Sequence, residues 1–194
     1  MQRRGTENSR PRQRTSIVGG TAWTETSATI DSKSPFTATH SLGVAHTSRM
    51  LLKLSRMADH NDLTTMFIAG LLHDIGKLAI PHEILEKPSA LTPEELSQIQ
   101  QHAETSLDLL GSIPGFTCVC EWGGRHHERL DGSGYPQRTK SSQTTKPGRL
   151  CAVADSFAAM ICERPFRKAK DILIAAKELA NDPRYDQEMS RSEE

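Results

Sequence analysis

Apolar side chains recur at helical intervals through most of the chain, and polar, proline-marked breaks separate the groups. From Pro35 onward, Val44, Met50, Leu51, Leu54 and Met57 fall near helical spacing, which predicts an amphipathic helix beginning around His40. Leu63 to Leu72, with Met66, Phe67, Ile68 and Leu71, is mostly apolar and predicts a helix at the centre of the core. That helix delivers His73 and Asp74 at its C-terminal end. After a loop carrying Pro81 and Pro88, Thr92-Pro93-Glu94-Glu95 reads as a capping box with proline at the first helical position. The helix it starts runs through Leu96, Ile99, His102, Leu107 and Leu110 and is closed by Gly111 and Pro114. Lys140 to Lys146 reads as a polar loop. Leu150 to Ile161 is apolar and small, a buried helix whose only charged residue is Asp155. Ile172 to Leu179 reads as a packing helix, and the charged end after Asn181 as frayed. No alternating strand pattern occurs, so the prediction is an all-α bundle.

Composition narrows the picture. Residues 1–33 are rich in Arg, Ser, Thr and Gly and have too few large apolar groups to offset the entropy of ordering, so they read as a flexible basic and polar tail ahead of one domain over 34–194. Arg3, Arg4, Arg10, Arg12 and Arg14 read as solvated, with contact to nucleic acid or an acidic membrane as the alternative. The 194-residue chain has zero formal charge, which argues against a nucleic-acid partner. With no apolar run of about 18 residues and no signal-like start, a soluble, cytoplasmic protein without a membrane partner is expected. Cys118, Cys120, Cys151 and Cys162 form no C-x-x-C pair, so they are expected as small buried hydrophobes in a reducing compartment rather than a zinc site.

The candidate chemistry begins at His73-Asp74. Consecutive helical residues point roughly 100° apart, so the two flank one edge and Lys77 lies over His73 at i+4. A carboxylate can bridge two cations, while a neutral imidazole nitrogen gives a single firm bond to one. Lys77 beside such cations calls for an intervening anion, most simply a substrate phosphate. The alternative is an ordinary helix end, with Gly76 terminating it and Lys77 complementing the dipole. His126-His127 cannot both face a core, whereas two imidazoles diverging from one point reach two separate metals. In the loop that follows, Gly132 and Gly134 permit positive φ or a close approach of backbone to ligand, and Pro136 stiffens the exit. A polar surface turn is the alternative. Asp155, ionised inside an apolar helix, is costly unless paired or bound to metal. Arg164 and Arg167 are apt for phosphate, or form a solvated turn. His40 and His102 count only through their neighbours, and His46 reads as a surface residue. The candidates are scattered along the chain, as they are when several helices each lend one or two side chains to a central site.

Together, His40-Ser41, His73-Asp74-Ile75-Gly76-Lys77, Ile80-Pro81, His102, His126-His127-Glu128, Asp131-Gly132-Ser133-Gly134-Tyr135-Pro136, Ala152-Val153-Ala154-Asp155 and Arg164-Pro165-Phe166-Arg167 make the segment from Ser34 to Ala169 resemble an HD-GYP domain. That subgroup belongs to the HD superfamily of metal-dependent phosphohydrolases. The resemblance implies a helical bundle with a central metal site and hydrolysis of cyclic di-GMP to linear pGpG, or on to GMP. It implies metal ligation by His40, His73, Asp74, His102, His126, His127 and Asp155, with Asp74 bridging, and a catalytic pair of Asp74 and Lys77. It also implies substrate contacts from Lys77, Gly134, Tyr135, Pro136, Arg164 and Arg167. Histidine-rich ligation with a bridging carboxylate favours iron or manganese over magnesium. Two cations sharing a water would lower its pKa and aim the hydroxide in line at phosphorus.

Three departures from the family pattern follow. Phe36 stands where some members carry a Glu ligand to a third metal, so two metals are expected. Ala158 replaces a common Asp, and Phe166 a common Tyr. Members are often fused to receiver or sensor domains, and none is read before residue 34, so input from a regulatory or diguanylate cyclase partner protein is the corresponding expectation. The rival readings are a hydrolase of another cyclic dinucleotide or nucleotide, and a non-catalytic module that docks through Gly132 to Pro136.

Overall fold

The computed structural model describes residues 35–163 and 167–186, and the elements among them are helical. Helix α1 (Pro35–Leu54) buries a narrow stripe of Val44, Ala45, Ser48 and Leu52. Small residues dominate that stripe because α1 lies close against α2 (His60–Leu72). The larger apolar groups expected on this face are displaced from it: Met50 is 63% and Leu54 44% exposed, and Met57 lies beyond the helix end. Helix α2 starts earlier than its apolar run, because Asp59 and Asp62 cap it reciprocally at 2.9 and 3.1 Å.

The expected capping box of Thr92 and Glu95 opens α4 (Pro93–Gly111), after a short α3 (His82–Leu85) inside the proline-marked loop. Helix α5 (Thr117–Gly123) was not expected: seven residues are too few for a period to show. It nevertheless buries Val119 and Trp122 in the main core with Leu52, Met66, Leu72 and Leu110. Helix α6 (Lys146–Ile161) begins four residues ahead of its apolar run, capped by the Thr145 hydroxyl with proline in its first turn. Helix α7 (Ile172–Asn181) buries only Ala175 and Leu179, while Ile172, Leu173 and Ile174 are more than half exposed, so it packs less than its composition suggests.

The segment after α7 is not frayed through residue 186. Tyr185 and Asp186 are buried, with the Tyr185 hydroxyl 2.7 Å from Ser156 Oγ and Arg149 donating to Asp186 at 3.0 Å. Of the four cysteines only Cys151 is buried, Cys118 is exposed, and none is in a disulfide. The predicted tail, residues 1–33, lies outside the described residues, as do Arg164, Pro165 and Phe166. No helix among the described residues is long and apolar enough to cross a membrane.

Helices α1, α2 and α6 pack on one another, α5 closes the other side of α2, and the turn after Asp74 lies along α4. Each thus presents a residue to one common point. His40 comes from α1, His73 and Asp74 from the end of α2, His102 from α4, His126 and His127 from just beyond α5, and Asp155 from α6. All but His127 are buried.

Candidate metal centre

The seven residues fall into two interlocking groups, Asp74 with His102, His126 and His127, and His40 with His73 and Asp155. Within each, the potential ligand atoms lie within 4.8 Å of one another. Both carboxylates span the groups. Asp74 Oδ1 is 3.1 Å from His102 Nε2 and 3.6 Å from His126 Nε2, while its Oδ2 is 3.1 Å from His73 Nε2. Asp155 Oδ1 is 3.1 Å from His40 Nε2 and 3.8 Å from His73 Nε2, and its Oδ2 is 3.8 Å from His127 Nδ1. Sequence reasoning gave the bridging position to Asp74 alone; the geometry gives Asp155 the same reach.

Three of the imidazoles are fixed in one tautomer. Nδ1 of His73, His102 and His126 lies 2.7, 2.5 and 2.7 Å from the carbonyl oxygens of Gly70, Ile99 and Gly123. A carbonyl only accepts, so each Nδ1–H donates and each Nε2 is left with its lone pair toward the centre. There, Nε2 of all three and Oδ1 of Asp74 are buried without a hydrogen-bond partner. A lone pair 3.1 Å from a carboxylate oxygen is repulsive unless a positive charge lies between them. A proton or a metal cation supplies that charge, so the donor set fits cations.

The electrostatics agree. Burial pushes Asp74 upward, but His73 and Lys77 beside it, with His102 and His126 facing its Oδ1, hold its carboxyl well below the usual range. Asp155 is likewise held well below, against its burial, by the His40 hydrogen bond and by His127. His73 is pushed up, because Asp74 and Asp155 outweigh the effect of its burial. Burial drives His126 down, and His127 well down with His126 as its neighbour, so both keep neutral, ligand-competent imidazoles.

Lys77 corrects the sequence reading. Its pairing is at i+3 rather than i+4, with its ammonium 2.5 Å from Asp74 Oδ2. The α-helix stops at Leu72, and Ile75–Ala79 forms a 3₁₀ turn, in which residues three apart eclipse. The anion Lys77 meets is therefore Asp74 itself. Arg167 is exposed and donates to the Ala159 carbonyl, and Arg164 lies outside the described residues. His46 is exposed, edge-on to Phe67.

The glycine-rich loop folds back onto the double histidine. Gly132 takes φ +81°, and Gly134 makes a close approach to the chain's own backbone: a Cβ there would lie 2.4 Å from the His127 carbonyl oxygen. Tyr135 N donates to that carbonyl at 3.2 Å, and its ring, half-buried, stands 4.6 Å from the His127 ring. Pro136 follows a cis bond.

Sequence reasoning missed the residue that holds this loop. Glu128 is buried, and its two carboxylate oxygens accept from the backbone N–H of Gln137 at 2.7 Å and of Thr139 at 2.8 Å. Its place directly after two histidines was the available signal. Glu128→Gln exchanges one acceptor for a donor facing an N–H. With about 1.5–3 kcal/mol for a hydrogen bond to a charged group, amide exchange at Gln137 and Thr139 is expected to quicken about 10- to 100-fold. Hydrogen-exchange mass spectrometry reads this, and unchanged exchange would show the clamp to be idle.

A family model described as HD domain matches residues 25–189. The chain is 43% identical over 138 residues to 3'3'-cGAMP-specific phosphodiesterase 1 of Vibrio cholerae, covering 71% of this chain and 32% of that one. It is 38% identical over 141 residues to a cyclic di-GMP phosphodiesterase of Thermotoga maritima, covering 69% of this chain and 38% of that one. It therefore spans about a third of the length of the curated relatives it matches. In structure it is similar to an HDG"Y"P protein of Bdellovibrio bacteriovorus, with a TM-score of 0.66 over 82% of this chain and 51% of that one; at 19% identity this likeness bears on the fold alone.

Proposed function

The chain belongs to the HD domain family, and from that premise we propose that it is a metal-dependent phosphodiesterase that opens cyclic di-GMP to linear pGpG. The observation that carries this reading is the convergence of seven candidate ligands from five parts of the chain, with three imidazole lone pairs fixed inward by carbonyl contacts. His102, His126 and His127 would hold one cation, His40 and His73 the other, and Asp74 and Asp155 would join both. Iron or manganese suits imidazole-rich ligation with shared carboxylates better than magnesium, which prefers oxygen and water. Bound there, two cations would supply an acidified water and Lewis acidity toward the phosphoryl oxygens.

The protein's own groups do the rest. The carbonyl contacts at Gly70, Ile99 and Gly123 hold the ligand rings still, so little reorganisation is needed at the moment of reaction. Lys77, with a quarter of its side chain exposed, stands at the rim of Asp74. Its ammonium is free to turn toward phosphoryl charge once cations neutralise that carboxylate. The half-buried Tyr135 ring beside His127 limits the approach of substrate to one side.

Metal content and turnover measured on the same preparation test the proposal. About two metals per chain are expected, with turnover of cyclic di-GMP lost on chelation and restored by manganese or ferrous iron. A preparation that binds fewer metals and cleaves nothing after reconstitution would overturn it. The 43% identity to a 3'3'-cGAMP-specific enzyme favours one second reading, the mixed dinucleotide as substrate, so both substrates belong in the assay.

A further inference from the structure

Beside the metal centre lies a groove of about 290 Å³, bounded by Gln100 on α4 and by Gly132, Ser133, Gly134, Tyr135 and Arg138 of the loop. Tyr135 joins the two: its ring is 4.6 Å from that of His127 and 6.4 Å from that of His102. A substrate whose phosphodiester sits at the centre can therefore reach this groove alongside Tyr135. The volume is at the low end for a small-molecule pocket, room for one base and not for a whole cyclic dinucleotide.

Its chemistry is that of a base site. Tyr135 offers an aromatic wall. The side chains of Gln100 and Arg138 are in no hydrogen bond or ion pair among the described residues, so an amide and a guanidinium remain available at the groove's edge. A site built for phosphate would gather cations, and this groove has one. Arg138 also holds an unusual backbone: its φ is +53°, in the left-handed region that favours glycine. A long charged side chain is thus kept where the backbone alone would select none.

We infer that this groove is a guanine subsite for the cyclic dinucleotide, with Arg138 as its specificity-determining residue. The inference rests on the proposed function and narrows its substrate. The guanidinium fork donates two parallel N–H bonds, which match the adjacent O6 and N7 acceptors of guanine. Adenine presents N7 beside an amino donor, which opposes one arm of the fork. Gln100, with one donor and one acceptor, contributes at the same edge.

The test compares the full, metal-loaded chain with Arg138→Gly and Arg138→Lys. Glycine removes the fork while suiting the backbone; lysine keeps the charge without the fork. Dissociation constants for cyclic di-GMP, 3'3'-cGAMP and the two-adenine analogue are read by titration calorimetry, with metal content per chain reporting the centre. Arg138→Gly is expected to weaken cyclic di-GMP about 10- to 100-fold, the range of one bidentate base contact, and the two-adenine analogue at most about twofold. Arg138→Lys should resemble glycine. Equal losses on all three ligands, no loss, or full preference retained by lysine would each overturn the guanine subsite and leave the metal reading standing. A wild-type chain that takes up its metals but binds none of the three would overturn the proposed substrate class and this inference with it.

Discussion

Asp74→Asn is expected to cost the protein most of its bound metal and about 10³-fold or more in phosphodiester turnover, the scale of losing a preorganised charge at a reacting centre. The two oxygens of Asp74 are committed to opposite halves of the cluster, Oδ1 toward His102 and His126, Oδ2 toward His73 and Lys77. An amide keeps only one acceptor and carries no charge. Its NH2, however, can donate to an Nε2 lone pair that the wild-type chain leaves unpartnered. That donor offsets only part of what the metal-free variant loses with the Lys77 and His73 pairings, so it should fold but melt modestly below the metal-free wild type. Its larger loss is the stabilisation that metals add, about 2.7 kcal/mol at a hundredfold excess over the dissociation constant. Melting curves with and without manganese, beside metal analysis, separate a failed site from a failed fold. An Asp74→Asn chain that holds its metals and turns over within about tenfold of wild type would remove Asp74 from the bridging role.

What the sequence revealed depended on how local the deciding interactions are. The Thr92 and Glu95 box closes within four residues, and its helix begins where expected. The candidate ligands were legible partly because an adjacent histidine pair and a lone carboxylate in an apolar helix have few packing explanations and partly through the family resemblance, and the structure brings all seven side chains together. Lys77 was misread because its partner depends on where the α-helix stops, and the change to a 3₁₀ turn leaves no mark in composition. The anchoring of Tyr185 and Asp186 rests on Ser156 and Arg149, some thirty residues away in sequence, and no local pattern announces it. One signal was present and unused: a glycine stands three residues before both His73 and His126, at the carbonyls that fix those rings.

Gly76→Ala is expected to be the most disruptive glycine-to-alanine change among the described residues. An ideal Cβ at Gly76 would lie 2.0 Å from the His102 carbonyl oxygen and 2.7 Å from Ser106 N, both backbone atoms of α4. Side chains can rotate away from a methyl; a helix backbone cannot. The 3₁₀ turn is also tied to α4 by the Gly76 N–H, which donates to Ser106 Oγ at 2.9 Å. Separating them by about 1 Å stretches the 3.1 Å contact between His102 Nε2 and Asp74 Oδ1 on which one half of the centre depends. Overpacking typically costs about 1–3 kcal/mol, and here the upper end applies. For a chain of this size that is a fall in Tm of about 6–12 °C. A misplacement of about 1 Å at a reacting centre costs about 10²-fold in turnover, so kcat should fall by that order even well below the melting temperature. Ser106→Ala is the control, since it removes the hydrogen bond, about 1 kcal/mol, without forcing the backbones apart. If both variants lose similar activity, the hydrogen bond and not the missing Cβ holds His102 to Asp74. A Gly76→Ala chain with wild-type melting and full metal content would mean that the two backbones tolerate separation and that the close contact has no part in building the site.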